Sequence, residues 1–224
     1  IGYLKANNDL NYKIVANIPY NITGAILRKF LSADYQPEQM VVLVQKEVAE
    51  RIVAKNSKES ILSLSIKAYG VPKYIKTVKA GSFSPPPRVD SAILSIESIS
   101  REFFQQTGGP IAPECQIFQD SNANKHRNNG DNDNTMGKEV SRPHLDVKRP
   151  SGGRGESSVY EEKFFETVRA GFKSKRKKLS SNLSGIYEKN KVLEVFDSLN
   201  LDPNLRAEDV DLEAWHKLAA SLKI

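Results

Sequence analysis

Lys13-Ile14-Val15-Ala16-Asn17-Ile18-Pro19-Tyr20 runs an apolar strand straight into a polar, proline-containing corner, and Asn21-Ile22-Thr23-Gly24 leads on into a helical pattern. Residues 13–16 read as a short buried strand. Thr23 is placed to cap a helix through Gly24–Phe30, with Ile26, Leu27, Phe30 and Leu31 as its buried side. The corner itself, Asn17-Ile18-Pro19-Tyr20, suggests methyl transfer to an exocyclic amine. The amino nitrogen of adenine is a poor nucleophile because its lone pair is delocalised into the ring. A catalyst must draw that nitrogen towards tetrahedral geometry, and two hydrogen-bond acceptors can do so. The Asn17 side-chain oxygen and the Ile18 carbonyl can each accept one N–H. Pro19 fixes its own φ and biases Ile18 towards an extended backbone, which aims that carbonyl outward. Tyr20 offers a face on which an extruded base can stack. The same four residue types also suit a plain strand-to-loop turn.

Outward from this corner, strands and helices alternate. Met40-Val41-Val42-Leu43-Val44 has strand length and reads as the central strand of a covered, parallel sheet. Lys46–Ala54 is a good helix with Val48, Ile52 and Val53 on one face, and a second helix is expected over Glu59–Tyr69. Strands follow near Tyr74–Val78 and Ala92–Ile96, separated by the loop Gly81-Ser82-Phe83-Ser84-Pro85-Pro86-Pro87-Arg88-Val89-Asp90-Ser91. This order predicts an α/β sheet with right-handed crossovers that ends in a hairpin-like strand pair.

From about residue 105 to 158 the periodicity vanishes. Asn122, Asn124, Asn128, Asn129, Asn132 and Asn134 sit among Gly, Asp and Ser, so the segment reads as a disordered or loosely held insertion. Helical periodicity returns over 160–224, with helices expected at Phe164–Phe172, Ser174–Leu183, Val192–Leu199 and Leu212–Leu222. Pro203 and Arg206-Ala207-Glu208 mark the connection before the last of them, where Trp215 and Leu218 read as core.

The chain has 224 residues, long enough for a real core, and 39% of them are hydrophobic. No apolar run approaches the ~20 residues needed to cross a bilayer, so neither an anchor nor a signal peptide is expected. One cysteine, Cys115, excludes an internal disulfide and fits a reducing compartment, the cytoplasm. The three histidines, His126, His144 and His216, are too scattered for a metal site of familiar spacing. Thirty-three Lys and Arg against 27 Asp and Glu give +6, and Arg169, Lys173, Lys175, Arg176, Lys177 and Lys178 alone match that excess, with no acidic residue among them. If helical, Arg169, Lys173, Arg176 and Lys177 share a face. A solvated surface is one reading of such a run, and contact with nucleic-acid phosphates is the other.

Taken together, several stretches make the chain resemble the ribosomal RNA adenine dimethylase family. They are, in order, Val15–Thr23, Gln45–Arg51, Phe83–Ser91, Gly171-Phe172 through Leu179, Leu201-Asp202-Pro203 and Arg206-Ala207-Glu208. The resemblance implies an incomplete Rossmann-like, S-adenosylmethionine-dependent methyltransferase domain over residues 1–104. After the insertion at 105–158 it implies a small all-helical RNA-docking domain over 159–224. The implied activity is N6,N6-dimethylation of adjacent adenosines in small-subunit rRNA, on a pre-30S-type particle, by a protein monomeric when complete. By the same resemblance Asn17 and the Ile18 carbonyl grip the amine, Asn17 also faces the methyl donor, and Tyr20 and Phe83 form the two sides of the base pocket. Lys173, Lys175, Arg176, Lys177, Lys178 and Arg169 would touch RNA. Gln45, Glu47 and Arg51 would support the scaffold.

The departure from the family lies at the front. The family begins with a Gly-rich turn and acidic residues that hold the cofactor, whereas here Gly2-Tyr3-Leu4-Lys5 stands roughly where it has Gly-Asp followed by an apolar residue. The chain by itself is therefore expected to bind S-adenosylmethionine weakly. Two other functions stay open at this point: a DNA adenine N6 methyltransferase, and a non-catalytic RNA-binding ribosome assembly factor.

Overall fold

The computed structural model describes residues 11–105 and 156–222. Packing groups residues 1–111 and 155–224 into one compact unit and 112–154 into another. The second unit, with the insertion expected at 105–158 apart from its helical ends, lies outside the described residues, as does Gly2–Lys5.

The sheet is built from β1 (Lys13–Asn17), β2 (Gln39–Gln45), β3 (Val71–Val78) and β4 (Ser91–Glu97), in the order β1-β2-β4-β3. β1 and β2 are parallel, joined by the crossover helix α1 (Thr23–Leu31). β4 lies antiparallel to both β2 and β3. β2 is thus central, as its composition suggests, but it is parallel on one side only. Its burial also alternates: Met40, Val42 and Val44 are buried with their register partners Ile96, Leu94 and Ala92, and Ile14 and Ala16 join that face. Val41, Leu43 and Ile93 on the other face are half-buried, and Val15 is 83% exposed. Among the described residues one face is therefore covered and the other only in part, with Ser91 and Ser95 buried on it, where the apolar run led one to expect full cover on both.

Helices α2 (Lys46–Ile52) and α3 (Ile61–Lys67) fill the β2–β3 connection. α3 starts two residues later than expected because Ser60 makes a capping box, accepting from the Ser63 amide at 3.1 Å while its own amide donates to the Ser63 hydroxyl at 2.7 Å. Strand β3 starts three residues earlier than expected and accommodates Pro72, which an edge strand tolerates. Thr23 does not cap α1. Its hydroxyl instead donates to the Tyr20 carbonyl at 3.2 Å.

A one-turn helix, α4 (Glu102–Gln105), sends Phe103 and Phe104 between the sheet unit and the C-terminal helices. These helices are α5 (Glu156–Gly171), α6 (Leu179–Leu183), α7 (Lys189–Ser198) and α8 (Leu212–Ser221). Phe103 and Phe164 meet edge-on at 5.2 Å, Phe104 and Tyr69 at 5.2 Å, and Tyr69 stacks on Phe165 at 5.9 Å. Such pairs add roughly 0.5–1.5 kcal/mol each beyond their area. Glu161 anchors the same junction, accepting from the Tyr69 hydroxyl and pairing with Arg101 at 3.5 Å. Burial and that carboxylate push the Tyr69 hydroxyl well above its ordinary pKa. Farther along, Lys58 pairs with Glu208 at 2.6 Å and Asp209 at 3.3 Å. Trp215 and Leu218 are fully buried, as their place in the last helix suggested. Among the described residues no helix is long and apolar enough to cross a membrane.

Two outcomes test this packing. A Cβ at Gly171 would stand 2.3 Å from Cη2 of Trp215 and 2.7 Å from Cδ1 of Leu179, both buried. Gly171→Ala should destabilise the chain by about 1–3 kcal/mol in urea unfolding. His216 lies in contact with Phe103 at 4.8 Å and Tyr160 at 5.3 Å, and burial holds its pKa below the ordinary 6.5, with a hydrogen bond to the Phe103 backbone pushing the other way. Because the unfolded histidine takes up its proton first, stability should fall as pH drops through 6.5 and level off below the depressed folded value. His216→Gln should flatten that slope in urea midpoints measured across this range.

Candidate functional site

The site grows from the carboxyl ends of β1 and β2. Asn17 is the last residue of β1, paired in register with Leu43. Ile18 continues the ladder by one bond, its amide donating to the Leu43 carbonyl at 3.3 Å, and its side chain is buried at 2% exposure. Pro19 holds φ −55° and ψ 131°, so the chain leaves the strand extended, as proline requires, before the 3-10 turn Tyr20–Ile22. That turn closes through the Ile22 amide on the Pro19 carbonyl at 3.2 Å. The buried Ile18 side chain pins the corner to the core while Asn17 and Pro19 stay exposed. Among the described residues, nothing donates to the Asn17 side-chain oxygen or to the Ile18 carbonyl. Asn17 is exposed to an incoming N–H, whereas Ile18 as a whole residue is 2% exposed.

Tyr20 is half-buried, and its hydroxyl lies 2.7 Å from the hydroxyl of Ser91, the first residue of β4. Ser91 follows the Pro-rich loop and pairs with Gln45, one step beyond Val44 on β2. The loop is closed at its base by Asp90. The Asp90 carboxylate accepts from the Ala80 amide at 3.0 Å and from Lys79 Nζ at 3.1 Å, and its carbonyl accepts from the Lys46 amide at 3.0 Å. The Ala80 amide, then Lys79, hold that carboxyl below the usual carboxylate range. Phe83, half-buried, stands at the start of the loop, its amide bonded to the Ala80 carbonyl at 3.2 Å. Among the described residues Tyr20 and Phe83 make no ring contact with each other or with another aromatic. Both are half-buried, unlike the fully buried Phe104 and Phe164 at the helical junction. Ser91 and Asp90 were legible only as the end of the Phe83–Ser91 stretch. A serine that opens an otherwise apolar strand was the one signal available.

The basic segment is not helical. Helix α5 ends at Gly171, and Phe172–Lys178 forms a turn in which the Lys177 amide bonds the Ser174 carbonyl at 3.1 Å. Two features end the helix there. Asn182 Nδ2 donates to the Gly171 carbonyl at 2.6 Å and the Ser174 carbonyl at 3.0 Å, taking acceptors that a continued helix would use internally. The run of like charges also disfavours helical spacing. The single basic face expected of a helix is therefore absent. Arg169 lines a cavity of about 140 Å³ with Arg28, Tyr69 and Glu161, whereas Lys175 lines a groove of about 720 Å³ beside Lys55, Lys58 and Glu208. Lys173, Lys175, Arg176, Lys177 and Lys178 are all exposed on the turn.

For a methyl donor the described residues offer little. Among the described residues Asn17 and Asn21 are the exposed amide side chains of this corner, while the carboxylate of Asp90 is paired with Ala80 and Lys79 and that of Glu47 with Arg51 at 2.8 Å. The described residues fit the target-amine half of a methyltransferase site and not the donor half.

Comparison with known proteins bears on the whole arrangement. The family model for ribosomal RNA adenine dimethylase matches residues 3–108. The chain is 36% identical over 213 residues to a ribosomal RNA small subunit methyltransferase A of Dehalococcoides mccartyi, a match that covers 94% of this chain and 55% of that protein. A namesake from Trichormus variabilis is 29% identical over 219 residues, covering 95% of this chain and 61% of that one. This chain thus spans little more than half the length of these relatives. Its fold is similar to the crystal structure of a dimethyladenosine transferase from Plasmodium falciparum, with TM-score 0.61 and 19% identity, covering 92% of this chain and 65% of that one. It is also similar to that of 23S rRNA methyltransferase ErmE, with TM-score 0.56 and 18% identity, covering 94% and 64%. The β1 corner, the Pro-rich loop and the strands that hold them fall within the matched residues, and through them residues 3–108 are similar to the ribosomal RNA adenine dimethylase family.

Proposed function

We propose that this chain supplies the target-base half and the RNA-docking half of an rRNA adenine N6,N6-dimethyltransferase that acts on small-subunit rRNA during ribosome assembly. The observation that carries the reading is the exposed Asn17 side chain at the end of a pinned strand, next to an Ile18 carbonyl to which no described residue donates. An adenine amine presented to both would donate one N–H to each, which localises the nitrogen lone pair on the side facing away from them. Tyr20 and Phe83, both half-buried, would stack on the extruded base. S-adenosylmethionine, when bound, supplies the electrophilic methyl group. After methyl transfer the nitrogen is acidic and its proton can pass to water, so no general base is required of the protein. Residues 1–104 serve the chemistry in this reading and 159–224 the docking.

The exposed turn at Lys173–Lys178 supports the docking half. A turn can present cations to phosphates that do not lie along one straight line, as suits folded RNA. The substrate in this reading is rRNA in a pre-30S-type particle in the cytoplasm, met by a monomeric protein.

In the full-length protein that carries these residues, Asn17→Ala should lower kcat for methyl transfer to small-subunit rRNA by about 10²–10³-fold, the usual effect of removing one preorganised polar group. Tyr20→Ala should also lower it strongly. Wild-type rates in both variants would contradict the reading. For the docking half, exchanging Lys175, Arg176 and Lys177 for Glu should weaken RNA binding. It should also reduce the slope of log K against log salt by about two, since each phosphate contact contributes roughly 0.7–0.9. An unchanged slope would contradict a phosphate role for the turn.

A further inference from the structure

We infer that Ser91 is a positioning residue that fixes the plane of the Tyr20 ring and ties it to the loop bearing Phe83. The inference rests on the reading of Tyr20 as the base-stacking side chain. The two residues are 71 positions apart in sequence, yet their hydroxyls lie 2.7 Å apart. Ser91 is fully buried. Its hydroxyl is therefore out of reach of bulk water, and a buried hydroxyl left unpaired is unfavourable. Tyrosine has two side-chain torsions. The Tyr20 backbone is held at one end by the turn and by the Thr23 hydroxyl on its carbonyl at 3.2 Å. With the ring tip held at the other end by Ser91, both torsions are set. A ring held at both ends presents one face at one angle, so a base stacking on it need not order the ring first.

The tether has a second consequence. Ser91 follows Asp90, whose carboxylate and carbonyl close the loop base onto Ala80, Lys79 and Lys46. Displacement of that base would move Ser91 and Tyr20 with it. The two aromatic walls are therefore mechanically joined through residues 90 and 91, and their separation does not vary freely.

Methyl transfer to small-subunit rRNA by the full-length protein tests this in Ser91→Ala, Tyr20→Phe and the double variant, with thermal melts recorded on each. Each single change should lower kcat about tenfold, equal to about 1.4 kcal/mol, with KM for RNA little changed and the protein still folded at the assay temperature, although its melting temperature falls. The double variant should be no slower than the slower single variant, because both remove one bond. Additive losses overturn the tether, as does a fall in kcat no larger than the loss of folded protein. If Tyr20→Ala is inactive while Ser91→Ala turns over at the wild-type rate, only the tether is overturned. If Tyr20→Ala is itself fully active, the stacking reading falls and the tether loses its role.

Discussion

The register of β2 is the constraint on which the site depends. Hydrogen bonding to β1 on one side sets Asn17 opposite Leu43, and antiparallel bonding to β4 on the other sets Ser91 opposite Gln45. Two residues of β2 thus separate the corner of the first strand from the start of the last. A slip of one residue on either side would turn Met40, Val42 and Val44 out of the core. The apolar burial that stabilises the sheet therefore also fixes where Asn17, Ile18 and the Tyr20–Ser91 contact stand relative to one another.

The helical portion is set against the sheet by aromatic side chains and by one carboxylate. Phe103 and Phe104 on a single helical turn meet Phe164 and Phe165, and Glu161 gathers Tyr69 and Arg101. A junction of this kind fixes the basic turn relative to the Asn17 corner. RNA gripped at Lys173–Lys178 would then reach the base pocket at a defined distance. Gly171 matters for the same reason, since it lets Trp215 close over the end of α5, where the chain leaves the helix for the turn.

The α/β order, the parallel first pair and the final hairpin were all legible in the sequence, because apolar periodicity and turn residues report local structure directly. The turn at the tetrapeptide was legible for the same reason, since Pro19 sets the extended exit from β1. What escaped depends on distant partners. Arg169, Lys173, Arg176 and Lys177 suggested one basic helical face, but Asn182 captures the carbonyls of Gly171 and Ser174 and the helix stops. Met40–Val44 suggested a strand covered on both faces, yet its odd-numbered residues are only half-buried. Phe103 and Phe104 gave no periodic signal because α4 is a single turn. Ser91 gave none because its partner is 71 positions away.

The central claim concerns one contact, an adenine amine shared between the Asn17 side-chain oxygen and the Ile18 carbonyl. The most direct measurement is a crystal structure of the full-length protein bound to a small-subunit rRNA fragment containing the target adenosine. The account predicts the adenine extruded, its N6 within about 3 Å of both acceptors, with its ring against Tyr20. A well-ordered target adenine whose N6 lies away from both Asn17 and Ile18 would contradict it.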